Sequence, residues 1–329
     1  MPTVAQLRAF AALAERLHFR EAAAELGMSQ PALSNAVAAL EETLGTRLVE
    51  RTTRRVLLTR SGEEVARRAR AVLGGIEELA EAAQATGRPF TGEVHIGVIP
   101  TVAPYLLPAL LRPLKTRYPD LGIVLHEQQT SRIHLSLAAG QLDLAVLATP
   151  VDGLGLTAMH LYDEDFMLVY PGDDPRPPRG PVPLTTLREL PVLVMEEGHC
   201  LREQTLEVCH EAGVDGFAST RAASLATLVQ LVAGGLGVTL LPSTAAVIEA
   251  RPGSGLAATS FHAPAPGRSI VLVHRTSSPR AQEFAALAET MRSAVRAHGM
   301  AVRLPEQSVT AAASRSVPRQ AAAARRSRG

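Results

Sequence analysis

Phe19-Arg20-Glu21-Ala22-Ala23-Ala24-Glu25-Leu26-Gly27-Met28-Ser29-Gln30-Pro31-Ala32-Leu33 is the stretch from which the rest of the chain can be read. Its first eight residues favour helix, and Gly27 is the residue best suited to the left-handed turn that ends one. Ser29 then offers an N-cap hydroxyl, with Pro31 just inside it. Leu33, Val37, Leu40 and Leu44 follow at spacings that put them on one face, so a second helix packed by that stripe is expected. Two helices joined by a turn of about three residues containing glycine read as a helix-turn-helix. Toward the N-terminus, Thr3 with Gln6 forms a capping-box pattern, and Leu7, Phe10, Ala14 and Leu17 predict an earlier helix.

The face of the second helix opposite its stripe carries Gln30, Ser34, Asn35 and Ala38, with Pro31 at its entry. Short and amide-bearing side chains of this kind suit base edges in a major groove. Leu48-Val49-Glu50-Arg51-Thr52-Thr53-Arg54-Arg55-Val56-Leu57-Leu58 follows, two strand-like runs around a polar tip. That pattern predicts a β-wing whose Arg51, Thr52, Arg54 and Arg55 lie along the phosphate backbone. The net charge of +1 conceals a local excess, since 47–60 hold five arginines against the single acid Glu50. A small helical interaction module has the same spacing, and the arginine-rich tip favours double-stranded DNA. Residues 1–60 therefore read as an all-α winged helix-turn-helix domain.

Ser61 with Glu64 repeats the capping-box pattern. Val65, Ala69, Val72, Ile76, Leu79 and Ala83 then form a coiled-coil seam, so 61–86 read as a linker helix that pairs two copies, although a core helix shows the same stripe. Thr86-Gly87-Arg88-Pro89-Phe90-Thr91-Gly92 breaks the helix and marks a hinge.

A chain of 329 residues exceeds one core and predicts two or three units. With 46% hydrophobic and 20% charged residues it has the composition of a folded soluble protein. No run approaches the ~18 apolar residues of a membrane span, so no membrane partner is expected. The first residues lack an export pattern, which predicts a cytoplasmic, nucleoid-associated protein.

From Glu93 the pattern becomes strand, helix, strand: Val94-His95-Ile96-Gly97-Val98-Ile99, a helix over 106–114, Ile123-Val124-Leu125, a helix over 131–139, and Leu142-Asp143-Leu144-Ala145-Val146-Leu147. A second set holds Phe166-Met167-Leu168-Val169-Tyr170, Val192-Leu193-Val194-Met195, helices from Leu201 and over 224–233, and Val238-Thr239-Leu240-Leu241. The alternation predicts an α/β region with a mostly parallel sheet in two similar subdomains and a ligand cleft at the strands' carboxyl ends. Gly234-Gly235-Leu236-Gly237 precedes a strand and opens no helix, so it reads as a tight turn and not a phosphate loop. No nucleophile elbow is present, and the chain is not expected to be an enzyme. Residues 307–329 are rich in Ala, Ser and Arg, with no acid after Glu306, and read as a disordered tail.

Only two cysteines occur, in Glu196-Glu197-Gly198-His199-Cys200-Leu201-Arg202-Glu203-Gln204-Thr205-Leu206-Glu207-Val208-Cys209-His210. A helix over 201–210 separates them by roughly 13 Å on opposite faces. A disulfide needs Cα atoms within about 7 Å, so bonding requires the helix to melt, as in a bistable redox switch. Two ordinary buried thiols fit the same geometry. His199, Arg202 and the helix start favour a thiolate at Cys200. Zinc held by His199, Cys200, Cys209 and His210 has poor ligand spacing, so no metal is expected.

The layout over residues 1 to about 305 resembles the LysR-type transcriptional regulators. Gly97-Val98-Ile99-Pro100-Thr101-Val102-Ala103-Pro104-Tyr105-Leu106-Leu107-Pro108 and Gly198-His199-Cys200-Leu201-Arg202, with Cys209 and Glu211-Ala212-Gly213 beyond, are similar to the hydrogen peroxide-sensing members. The resemblance implies a periplasmic-binding-protein-like regulatory domain over 87–306, with lobe I near 91–163 and 269–305 and lobe II near 164–268. It implies that Cys200 is the peroxidatic thiol and Cys209 the resolving one. It places Thr101, Thr130 and His199 in a peroxide pocket and makes Arg268 the basic residue that stabilises the reduced site. Local alternatives are that Thr101 caps the helix after Pro100 and Thr130 the helix near Ser131. Glu203 stands where some relatives carry Asp, and the tail departs from the family. The resemblance further implies a homotetramer, promoter DNA and RNA polymerase as partners, control of antioxidant genes, and no cofactor. A member of the family that answers to a small organic acid in the cleft, and a thiol peroxidase, are the competing readings.

Overall fold

The structure, a computed structural model, describes residues 1–51, 56–84, 89–148, 151, 155–178, 180–214 and 220–305. Helix α1 (Val4–Arg16) starts at the expected capping box, where Thr3 Oγ1 accepts from Gln6 N at 3.3 Å and Gln6 Oε1 from Thr3 N at 2.8 Å. Helices α2 (Phe19–Glu25) and α3 (Gln30–Leu44) follow, with Gly27 between them at φ 63° and the Ser29 hydroxyl capping α3. Phe10, Leu13, Leu33, Val37 and Leu40 are sealed in the core of this head. Two expected stripe residues stay out of it. Leu17 turns left-handed at φ 50° and closes α1, and Leu44 lies past the last buried turn of α3; both are exposed.

Strands β1 (Val49–Arg51) and β2 (Val56–Leu58) form the antiparallel wing, with Glu50 opposite Leu57. Glu41 Oε1 accepts from the amides of Leu48 and Val49 at 2.7 and 3.1 Å, which fixes the wing to α3. Thr52, Arg54, Arg55 and the Arg51 side chain lie outside the described residues, as does the disordered tail expected over 307–329.

Helix α4 (Arg60–Gln84) is the linker. Its cap is Thr59 and not the expected Ser61, because the wing's return places the Thr59 hydroxyl 2.9 Å from Gly62 N. Glu64 instead pairs with Arg67 and Arg68. Gly62 is required there, since a Cβ would lie 2.0 Å from the Leu48 carbonyl oxygen. Ala66 and Ala69 are buried, whereas Val72 and Leu79 of the expected seam are 51% and 73% exposed, so among the described residues these two positions stay uncovered.

The remaining chain runs β3 (Gly92–Val98), α5 (Ala103–Arg117), β4 (Leu121–Glu127), α6 (Thr130–Ala138), β5 (Leu144–Ala148), β6 (Leu156–Pro171), a 3-10 turn (Leu184–Glu189), β7 (Val194–Met195), α7 (Cys200–Ala212), β8 (Arg221–Ala222), α8 (Leu225–Ala233), β9 (Thr239–Pro242), α9 (Ser243–Glu249), β10 (Leu256–Ser260), β11 (Gly267–Arg275) and α10 (Ala281–His298). The main sheet has order β10-β6-β11-β5-β3-β4, with β9 also on β6. It is mixed, which corrects the expectation of a mostly parallel sheet. β3 runs parallel to β4 and β5, but β6 pairs antiparallel with β9, β10 and β11, and β11 antiparallel with β5. The 16-residue β6 passes from one lobe to the other and β11 comes back beside it, and a strand returning alongside its neighbour runs antiparallel.

Two cores result. One takes Val94, Ile96 and Leu144 with Tyr162, Ile270 and Phe284; the other takes Phe166, Leu168, Leu193, Val208, Leu228 and Leu240. β6 supplies Tyr162 to the first and Phe166 to the second. The glycine run is a turn entering β9, as expected, and a Cβ on Gly237 would sit 2.2 Å from the Pro191 carbonyl oxygen.

Candidate functional site

Helix α7 starts at Cys200 itself and continues unbroken to Ala212, so both cysteines lie on one intact helix as free thiols. Gly213 closes it at φ 75°, and Arg188 Nε donates to the Ala212 carbonyl at 2.5 Å. The helix gives its two thiols to different surroundings. Cys200 is partly buried and packs against the first core; Cys209 is fully buried in the second. Burial pushes the Cys209 thiol up to about 11. Cys200 is the first helical residue, so it stands at the α7 terminus that carries the unpaired backbone amides. The Arg202 guanidinium is shared between Glu203 at 3.5 Å and Glu197 at 3.9 Å.

His199 is the α7 N-cap residue, buried, and its Nε2 lies 3.2 Å from Gln129 Nε2. Among the described residues its Nδ1 is buried without a hydrogen-bond partner, and so is Thr130 Oγ1, on the next residue along from Gln129. Thr130 is the first residue of α6 and does not cap it; the N-cap position belongs to Gln129. Gly198, at φ 95°, leaves room for this contact, since a Cβ would meet Gln129 Oε1 at 2.7 Å.

Thr101 follows β3 as Thr130 follows β4, so both stand at the carboxyl ends of adjacent parallel strands. Thr101 does not cap α5, whose N-cap residue is Val102. Its hydroxyl accepts from Arg268 Nη1 and its carbonyl from Arg268 Nη2, each at 3.1 Å. Arg268 Nε donates to Glu164 Oε1 at 2.8 Å, and Glu164 Oε2 accepts from the Thr244 hydroxyl at 2.5 Å. Glu164, Arg268, Thr101 and Thr244 are all buried, so this charge pair is desolvated and fully bonded. The structure thus joins His199 to the Gln129–Thr130 turn and Arg268 to Thr101. Gln129, Glu164 and Thr244 were not singled out from the sequence; Glu164 is the middle one of three consecutive acids, Asp163-Glu164-Asp165, and nothing in that run sets it apart.

In the head, Gln30, Pro31 and Asn35 are exposed and Ser34 half-buried on the first turns of α3, away from Leu33 and Val37. No described helix is long and apolar enough to cross a membrane.

Residues 4–63 match the bacterial regulatory helix-turn-helix protein, lysR family, and residues 87–314 the LysR substrate binding domain. The chain belongs to the LysR family. Among LysR-family relatives it is 54% identical, over 90% of its length and 95% of the relative's, to a probable hydrogen peroxide-inducible genes activator of Streptomyces viridosporus. It is 40% identical, over 90% of its length and 96% of the relative's, to the DNA-binding transcriptional dual regulator OxyR of Escherichia coli. A cysteine-variant OxyR of Corynebacterium glutamicum, solved with hydrogen peroxide bound, superposes at TM-score 0.61 with 38% identity, covering 92% of this chain and 98% of that one. The α/β regulatory architecture and helix-turn-helix head expected from the sequence are those of this LysR-family pair of domains.

Proposed function

We propose that this chain is a hydrogen peroxide-sensing transcription regulator of oxidative-stress genes, switched by a reversible disulfide between Cys200 and Cys209. The observation that carries it is the single helix α7, which sets one thiol against each lobe's core. In the first step the Cys200 thiol gives up its proton and its sulfur attacks one peroxide oxygen; the O–O bond breaks, the departing hydroxide takes up that proton and leaves as water, and Cys200 becomes a sulfenic acid. In the second, the Cys209 sulfur attacks the sulfenic sulfur, a second water leaves, and the S–S bond forms, so two thiols supply the two electrons that reduce one peroxide. His199 Nδ1 and the Thr130 hydroxyl, buried and without partners, suit a small molecule that both donates and accepts hydrogen bonds. Thr101 belongs to the same pocket, and Arg268 braces it in the reduced form.

With Cα atoms roughly 13 Å apart along an intact helix, the disulfide requires α7 to unwind and both lobes to give up a side chain. That repacking of 87–306, lobe I near 91–163 and 269–305 and lobe II near 164–268, alters how the subunits of a homotetramer place their heads. Residues 1–60 read promoter DNA, with Gln30, Pro31, Ser34 and Asn35 at base edges and Arg51, Thr52, Arg54 and Arg55 on phosphates, and 61–86 pair the copies through the exposed α4 face. RNA polymerase is the further partner, the chain works in the cytoplasm at the nucleoid, and it is not an enzyme.

The test is mass spectrometry of the protein after brief exposure to peroxide at micromolar levels. The wild type is expected to show a Cys200-to-Cys209 linkage, Cys209→Ser a trapped sulfenic acid, and Cys200→Ser neither product. Oxidation that leaves both thiols unlinked in the wild type would falsify the switch.

A further inference from the structure

Where the head meets the regulatory domain, α1, α4 and α6 border a half-open pocket of ≈ 420 Å³. Its acids already have partners. Glu15 of α1 forms an ion pair with Arg132 of α6, and Glu25 accepts from Arg16 Nε at 2.7 Å. Arg70 of α4 also lines the cavity, is half-buried, and makes no hydrogen bond or ion pair among the described residues. Burial lowers its pKa, Glu15 raises it and Arg132 lowers it, the pattern of a guanidinium short of negative charge. Arg8 adds another cation to the wall, and His95 is engaged with His126 at 3.1 Å. Leu26, Leu73 and Leu135 add apolar surface to a wall that also carries Ser136 and Gln141.

A half-buried arginine has five donors and no acceptor, so it can take an anion, and its planar fork matches a carboxylate. We propose that this joint binds a small organic carboxylate, its acid group on Arg70 and its apolar body against the leucines. The site is distinct from the cleft between the lobes and from the thiols of α7. A ligand there touches the head, the linker and α6, whose first residue Thr130 borders His199 through Gln129, so it would tie the head's placement to a second chemical input.

The test uses the full-length protein with both thiols held reduced and no peroxide present, so its failure leaves the disulfide switch standing. Benzoate, its uncharged analogue benzamide, and inorganic phosphate are titrated by calorimetry. Benzoate is expected to bind once per chain at about 1 mM or below, benzamide not at all, and Arg70→Gln to weaken benzoate at least about tenfold. In the wild type, benzoate is also expected to slow phenylglyoxal modification of Arg70, read by peptide mass spectrometry, a measurement independent of how the variant folds. Equal binding of benzoate and benzamide, unprotected Arg70, or saturable phosphate binding without benzoate binding overturns the proposal.

Discussion

Cys200 and Cys209 stand about two and a half turns apart on one helix, yet their surroundings have little in common. Cys200 sits at the N-terminal end of the helix next to His199, which meets Gln129, and is partly accessible. Cys209 is enclosed by the apolar second core with Val208 and Ala212, and burial keeps its proton on. The difference teaches that one helix can offer a polar, reachable thiol to a small oxidant while withholding the second until the helix gives way. In the proposed reaction, reach and protonation together set the order in which the two sulfurs act.

The most damaging change to the polar end is expected from Glu164→Ala. It leaves the Arg268 guanidinium buried without its carboxylate, and removing one partner of a buried pair costs about 3–5 kcal/mol. Urea unfolding of the regulatory domain should record a loss of that size, and an unchanged midpoint would mean that water already screens the pair. A smaller effect is expected from Gly198→Ala. The new Cβ would meet Gln129 Oε1 and must hold φ near 95°, a strain of about 1–3 kcal/mol. It should also uncouple His199 from Gln129, visible as a shifted imidazole NMR signal, whereas an unshifted signal would show that the two ends of α7 are less different than drawn.

The smallest effect concerns the apolar end. Because the Cys209 thiol is raised from 9.0 to about 11, the unfolded chain loses that proton first as pH climbs. Folding stability should therefore fall between about pH 9 and 11 in the wild type and fall less in Cys209→Ser, and iodoacetamide at neutral pH should label Cys200 well before Cys209. Matching labelling rates would erase the contrast.

The head was legible because its signals are local. Capping hydroxyls, Gly27 and a spaced stripe each act within one or two turns, and the structure keeps Thr3, Ser29 and Leu33 in the expected roles. Periodicity alone does not say where a helix stops, so Leu17 and Leu44 were placed on stripes that end before them. Ser61 and Thr59 offer the same hydroxyl, and only the wing's return selects Thr59. In the sensor domain the thiols were visible from their scarcity, but their neighbours were not. Gln129 meets His199 across 70 positions and Glu164 meets Arg268 across 104, distances over which composition carries no pairing information. Strand direction was equally hidden, and the acids at 163–165 masked the first half of β6.

That long strand has a mechanical consequence. β6 and β11 are laced by backbone hydrogen bonds over the whole crossing, with one register shift at Ile270 and Val271, so they behave as a torsion bar and not as a pair of loose tethers. Swinging the lobes apart like a clam shell would tear that lacing, while a small rotation about the bar leaves it whole. Any force that α7 exerts on the two lobes should then emerge as twist, which carries a local rearrangement to the outer faces of the molecule without opening its middle.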